Sequence, residues 1–298
     1  MAEGGFELRG EIFDREVGLK LKREMRLVTL TDNSVGLSSG VLAEHGFSIY
    51  VEFADYRLIF DAGETTTSVT NADALGIDLA AVPVALSHGH YDHTGGLLDL
   101  LKRTGPVPIY AHPDVFVSRY SRREGALRQI GIPFNREDLE EMGGAFDLSR
   151  QAREISPGVW LTGEIPRAAE FEAPSEDFVV VSEDGEIEVD PIADDQALVL
   201  VLKRGLFVIL GCAHSGMIST LLHAQRVTGV ERILGVAGGT HLGYGGEERL
   251  KETIAALRTF DLEILAPSHC TGFPAATALE AEFPDRFVEN CVGTQIVL

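Results

Sequence analysis

The sequence predicts an α/β sandwich in which two similar half-sheets pack face to face with helices outside. Three observations carry this expectation. The order strand, helix, strand, helix, strand occurs twice, over 57–111 and 206–267, the arrangement of a sheet covered by helices. Each of those six strands ends beside polar residues, Asp61, His88, His112, Cys212 with His214, His241 and His269. Parallel strands within each half would bring these ends to one edge, where ligand sites of α/β sheets form. Finally, 298 residues with 45% hydrophobic side chains can bury a sizeable core without disulfide staples.

The elements follow in order. RLVTLTDNS, GFSIYVEFADY and RLIFDAG are β-rich runs separated by Gly, Asn and Asp, which predicts antiparallel strands joined locally. A helix is expected near 71–80, then the strand VPVALS. HTGGLLDLLKRTG places Leu97, Leu98 and Leu101 on one helical face with Gly105 beyond its end. VPIYAHP is the next strand. The region 113–157 is the least regular, with Asn135 as a helix cap ahead of REDLEEM; it is expected to be an insertion covering one face of a single domain spanning 1–298.

From VWLTGEIPR the β-rich style returns. An acidic loop at 183–195 precedes a hairpin running from ALVLVLK through LFVIL. A helix opened by Ser215 groups Ile218, Leu221 and Leu222. The strand RILGVAGG, a helix grouping Leu250, Ile254 and Leu257, and the strand LEILAPS complete the second half.

Charge narrows the partners. Forty-six acidic against 25 basic side chains leave a formal charge of -21, which repels nucleic-acid phosphates and anionic membranes at long range. Neither is expected as a partner. The N-terminus lacks the basic-then-apolar order of a secretory signal, and no run of roughly 18 apolar residues offers a membrane span. Three widely spaced cysteines, Cys212, Cys270 and Cys291, suit a reducing compartment. A cytoplasmic location is the expectation, and oligomeric state is left open.

The sharpest signal is Ser87-His88-Gly89-His90-Tyr91-Asp92-His93-Thr94-Gly95-Gly96, immediately after an apolar strand. Imidazole and carboxylate suit zinc, manganese or iron. Such a tight loop can aim His88 and His90 at one metal and Asp92 and His93 at a second. The alternative is a polar loop whose histidines merely cap a helix, but four ligands at this spacing outweigh it.

Here the sequence resembles the metallo-β-lactamase superfamily, whose signature is His-x-His-x-Asp-His after a strand. LIFDAG and LAPSHC resemble its upstream and late strands. More narrowly, TDNS, AEHGFS, SHGHYDHTGGL, LTGEIPR, GCAHSG, GGTHL and PSHCTG resemble the 7,8-dihydropterin-6-yl-methyl-4-(β-D-ribofuranosyl)aminobenzene 5'-phosphate synthase-like subfamily, across nearly the whole chain.

The resemblance implies an αββα fold with two divalent cations at one edge, zinc first with manganese or iron as alternatives. His88, His90, Asp92, His93 and His269 match the family's ligand pattern. The second-half aspartate that usually bridges the metals is missing, because LFVIL runs into Gly211-Cys212-Ala213-His214. His214 is the chosen ligand there, with Cys212 in reserve. Asp61 either orients a ligand histidine through its other ring nitrogen or is a turn aspartate before Gly63.

A two-metal centre implies hydrolysis by an activated water, or, as the subfamily's name implies, transfer with departure of pyrophosphate. The expected enzyme is a metal-dependent hydrolase or transferase acting on a small phosphorylated or diphosphate-bearing substrate. Asp92, Glu164 and His241 are its candidate catalytic residues. Arg167, Arg119 and Arg122 are candidate substrate contacts, since arginine forks around phosphate, with Arg167 the better single candidate; the cluster Arg119, Arg122, Arg123 and Arg128 is read first as an exposed basic helix, since charge runs are usually solvated faces. His112 and His223 read as structural, and His45 is unassigned. The competing class is a non-catalytic metal-dependent ligand-binding or sensor protein, and fold alone does not separate the two.

Overall fold

The computed structural model describes residues 24–36, 40–182 and 184–298. The N-terminal stretch read for a secretory signal lies outside them. Among the described residues the strands form three sheets. The first has the order β17 (Gln295–Val297), β1 (Met25–Thr31), β2 (Ser48–Phe53), β3 (Tyr56–Phe60), β4 (Val84–Ala85), β5 (Val107–Ala111), β8 (Gly144–Leu148). The second runs β16 (Ile264–Ser268), β15 (Ile233–Gly239), β14 (Gly205–Leu210), β13 (Leu198–Leu202), β10 (Val159–Leu161), β9 (Arg153–Ser156).

The predicted two-half arrangement is present. β3, β4, β5 and β8 are parallel neighbours, as are β14, β15 and β16. Antiparallel hairpins flank each parallel block, β1–β2–β3 in one sheet and β13–β14 in the other. The facing sides interlock through Leu27, Ile49, Val51, Leu58 and Phe60 from one sheet against Leu198, Leu200, Phe207 and Ile209 from the other. The outer sides are covered too. Val28, Leu30 and Ile59 pack under α1 (Thr67–Ala74) and α3 (Leu97–Thr104), and Leu206, Val208 and Leu210 under α5 (Met217–Thr228) and α6 (Gly246–Leu257). Both faces of the central strands are therefore dry, which is why LFVIL reads as an unbroken apolar run.

Several local expectations shift. The helix expected near 71–80 is Thr67–Ala74, because Gly76 turns left-handed at φ 70° and Ile77, Leu79 and Val82 enter the core from the following turn. VPVALS keeps only Val84–Ala85 as strand. In α5, Ile218 and Leu221 are buried but Leu222, one position further around the helix, is exposed. Asn135 caps α4 (Arg136–Glu141) as predicted, accepting the Asp138 N–H at 2.8 Å.

The region 113–157 is divided rather than inserted as a block: β8 and β9 complete the two main sheets. Its basic run forms β6 (Arg119–Arg123) and β7 (Ala126–Gln129), which pair with β11 (Phe178–Val181) and β12 (Ile187–Val189) in a third sheet of order β12-β11-β6-β7. No basic helix forms there among the described residues. Glu124 and Gly125 are both left-handed, at φ 51° and 81°, the conformation of a tight hairpin turn.

Candidate metal centre

The strand ends of both halves meet at one edge. After β4 the chain turns through His88-Gly89-His90 and enters the short helix α2 (Tyr91–Thr94), whose first turn presents Asp92 and His93. Gly89 is required here by space, since a Cβ at that position would run into the Val115 carbonyl and lie 2.7 Å from Arg119 Nη1. His93 is held from below by Asp61, left-handed at φ 62° and fully buried. His93 Nδ1 donates to Asp61 Oδ2 at 2.7 Å, and the same carboxylate accepts the Ser87 N–H and Oγ–H, each at 2.7 Å. That bond fixes the tautomer and aims Nε2 at the shared edge.

The second half supplies Cys212 and His214 after β14, His241 after β15, and His269 with Cys270 after β16. Ala213, His241 and His269 all hold positive φ, 54°, 55° and 51°, a backbone cost concentrated at functional sites. His269 is placed by residues the sequence reading did not single out: its N–H donates to Asp32 Oδ1 at 2.6 Å and its Nδ1 lies 2.8 Å from Asn33 Oδ1. The TDNS motif pointed to these two residues without revealing their task.

Five overlapping groups of donor atoms result among the described residues, two of them being Cys212, His214 and His241, and Cys212, His269 and Cys270. The donor atoms of His88, His90 and His214 lie within 4.8 Å of one another, and so do those of Asp92, His93 and His269. Cys212 lies between the groups, its donor atom within the same distance of those of His88 and His93; its Sγ is 3.2 Å from His93 Nε2. The structure thus brings His214 and Cys212 together at the edge. His93 Nε2 lies 3.2 Å from His269 Nε2, and Asp92 Oδ2 lies 3.3 Å from the same His269 nitrogen.

This arrangement fits cations. His90 Nε2 and His214 Nε2 are buried with no hydrogen-bond partner, a cost that a metal bond removes. Burial holds His88, His90 and His214 neutral, His90 at about 3, the form that ligates. Burial alone would raise Asp92, but His93 and His269 hold its carboxylate well below the usual range. Burial likewise opposes charge on His269, yet its hydrogen bond to Asp92 and the negative groups Cys270 and Asp32 carry it to about 9.

The other candidates divide. His241 stands at the edge with its ring 4.4 Å from that of His214 and its Nδ1 buried without a partner. Arg167 is close by, its Nη2 donating to the His214 and Pro191 carbonyls at 3.1 and 2.9 Å. Glu164 joins a separate group: its Oε1 accepts from Arg150 at 2.7 Å and lies 3.1 Å from His112 Nε2, in a half-exposed ion network. Arg119 is 2% exposed with its fork filled by Asp190 and Asp194. Arg122 points along the third sheet to the Glu176 carbonyl at 3.1 Å. His223 bonds the Thr162 carbonyl at 3.0 Å.

Two further side chains that the sequence left without a role stand at the centre. Phe178 of β11 lies over the centre, its ring 5.4 Å from His90, 5.3 Å from His214 and 5.7 Å from His241. His45, in the AEHGFS turn, has its Nδ1 3.6 Å from both Asp92 and Glu64 carboxylates and its ring 5.4 Å from that of His269. The third sheet is thus a roof over the ligand edge.

The family model described as metallo-beta-lactamase superfamily matches residues 42–219. The 7,8-dihydropterin-6-methyl-4-(beta-D-ribofuranosyl)-aminobenzene-5'-phosphate synthase of Methanocaldococcus jannaschii is 31% identical over 88% of this chain and 93% of its own length. The crystal structure of Tm1679, described as a metal-dependent hydrolase of the beta-lactamase superfamily, is 31% identical with a TM-score of 0.78, covering 91% of this chain and 98% of that one. Zn(2+)-bound PqqB from Methylobacterium extorquens shares the fold at 12% identity, with a TM-score of 0.51 over 92% of this chain and all (100%) of the other.

Proposed function

Because the chain belongs to the metallo-beta-lactamase superfamily, we propose that it is a dinuclear metal-dependent hydrolase or transferase acting on a small phosphorylated or diphosphate-bearing substrate. The observation that carries this is the pair of ligand groups at one edge, with the His90 and His214 Nε2 atoms of one group buried and unpartnered. The phosphate-bearing substrate class is supported by the relative from Methanocaldococcus jannaschii, whose name specifies a 5'-phosphate. We take 1–298 as one such domain.

In this reading His88, His90 and His214 would hold one divalent cation and Asp92, His93 and His269 the other, with Cys212 between them. Zinc suits this nitrogen-rich set with its one thiol; manganese and iron are the alternatives. When bound, such cations supply Lewis acidity to a phosphoryl oxygen and acidify a water.

The chain's own residues set the rest. Asp61, Asp32 and Asn33 orient His93 and His269 so that no ligand rotates out of place. Phe178 keeps bulk water off the roof side of the imidazoles. His241, with an unpartnered Nδ1 beside His214, can donate a hydrogen bond to a substrate oxygen that gains charge. No described helix is long and apolar enough to cross a membrane.

The test is turnover of phosphomonoester, phosphodiester and diphosphate substrates by protein of known metal content. Activity should disappear on chelation and return with added zinc or manganese. Tight ligand binding with no product under any metal would instead establish a sensor.

A further inference from the structure

Two consecutive acids outside both ligand groups reach the two loops that carry His88, His90 and His214. Asp194 Oδ2 accepts the Gly89 N–H at 2.8 Å, between His88 and His90. Asp195 Oδ2 accepts the Ser215 N–H at 2.8 Å, one residue after His214. Gln196 continues the seam, its backbone N–H donating to the Ser87 carbonyl at 3.0 Å and its side-chain amide to the Leu86 carbonyl at 2.9 Å. Residues 194–196 therefore stitch the end of β4 to the approach of β13, across the two main sheets.

Behind this seam stands Arg119 of the roof sheet. Its Nη1 and Nη2 donate to the two Asp194 oxygens at 2.9 and 2.6 Å, and its Nε donates to Asp190 at 2.7 Å. Arg119, Asp190, Asp194 and Asp195 are all buried, none more than 4% exposed. Buried ion pairs contribute little net stability, because desolvation offsets the attraction. A planar bidentate fork does, however, fix direction, and here the direction it fixes is that of the carboxylate bonded to the Gly89 N–H.

We propose that Asp194 and Asp195, with Arg119 behind Asp194, are positioning residues for the His88, His90 and His214 cation position, which makes the roof sheet a structural part of that position. The inference rests on the two-cation reading above. The second position is oriented by other groups, through Asp61 on His93 and through Asp32 and Asn33 on His269. Loss of the seam should therefore act on one position and spare the other.

Cobalt(II) alone, titrated into the metal-free full chain and followed by its visible absorption, tests this. Wild-type protein should take up two equivalents. Asp194→Asn, Asp194→Ala and Asp195→Asn should each weaken one equivalent by about tenfold or more, in the range expected when a partner behind a ligand is removed, and leave the other within about threefold. Asp190→Asn removes the partner of Arg119 Nε but leaves the Gly89 and Ser215 bonds in place; it should weaken the same equivalent, and by less than the Asp194 variants do. If the Asp194 variants do not fold, Asp195→Asn decides, because it reaches the His214 loop without Arg119. Wild-type protein that takes up no cobalt would defeat the metal reading and the seam with it. Two equivalents in wild type, retained unchanged in the Asp194 and Asp195 variants or weakened by them equally at both positions, would overturn the seam alone.

Discussion

Asp61 Oδ2 lies 2.7 Å from Nδ1 of His93, both side chains fully buried and 32 residues apart in sequence. Because the same carboxylate accepts both Ser87 donors, one residue of the β3 end orients His93 and ties down the start of the loop that leads to it.

Asp61→Ala should therefore weaken cation binding at the Asp92, His93, His269 position by about 10- to 100-fold. It should also cost stability, since three buried donors lose their acceptor, at about 1–3 kcal/mol for each one left unsatisfied. Zinc titration against a chromophoric chelator and a denaturant melt measure the two effects separately. Wild-type affinity in this variant would show that Asp61 is only a turn residue.

His90→Ala should leave the fold largely intact and reduce bound metal to about one equivalent, because the His88, His90, His214 set then has two members. Metal counting and far-ultraviolet circular dichroism on one sample check both halves. Normal turnover would remove His90 from the centre.

Cys212 and His214 can be ranked in the same way. His214 completes a group with His88 and His90, whereas Cys212 lies between the two groups. Metal counting should show a larger loss for His214→Ala than for Cys212→Ala; the reverse order would make the thiolate the principal second-half ligand.

Phe207→Ala tests the sandwich itself. Phe207 is fully buried between the sheets, and truncation there should destabilise the protein by about 3–5 kcal/mol. Guanidinium unfolding measures it, and a loss under about 1 kcal/mol would be inconsistent with a packed interface at that point.

The parts of this architecture legible in the sequence were those written locally. His88, His90, Asp92 and His93 fall within one short stretch, so their spacing alone proposed a ligand set, and the structure brings their side chains together. The twice-repeated strand and helix order led to the two parallel blocks. What stayed hidden was held by contacts with partners outside the local pattern. Arg119 read as a phosphate fork because a charged run is normally solvated, yet Asp194, 75 positions later, buries it. Glu164 read as a proton acceptor beside Arg167, but Arg150 draws it into a surface network. Phe178 carried no signal, since an aromatic in a β-rich stretch is ordinarily core. The Glu124-Gly125 turn was the one local clue to the roof hairpin, and its basic flanks suggested a helix.

The proposed function places two cation positions at one edge of the sandwich. Anomalous diffraction at the zinc absorption edge, from crystals of zinc-loaded protein, measures it most directly. The account predicts two peaks, one among His88, His90 and His214 and one among Asp92, His93 and His269. A single peak elsewhere, or none at that edge, would contradict it.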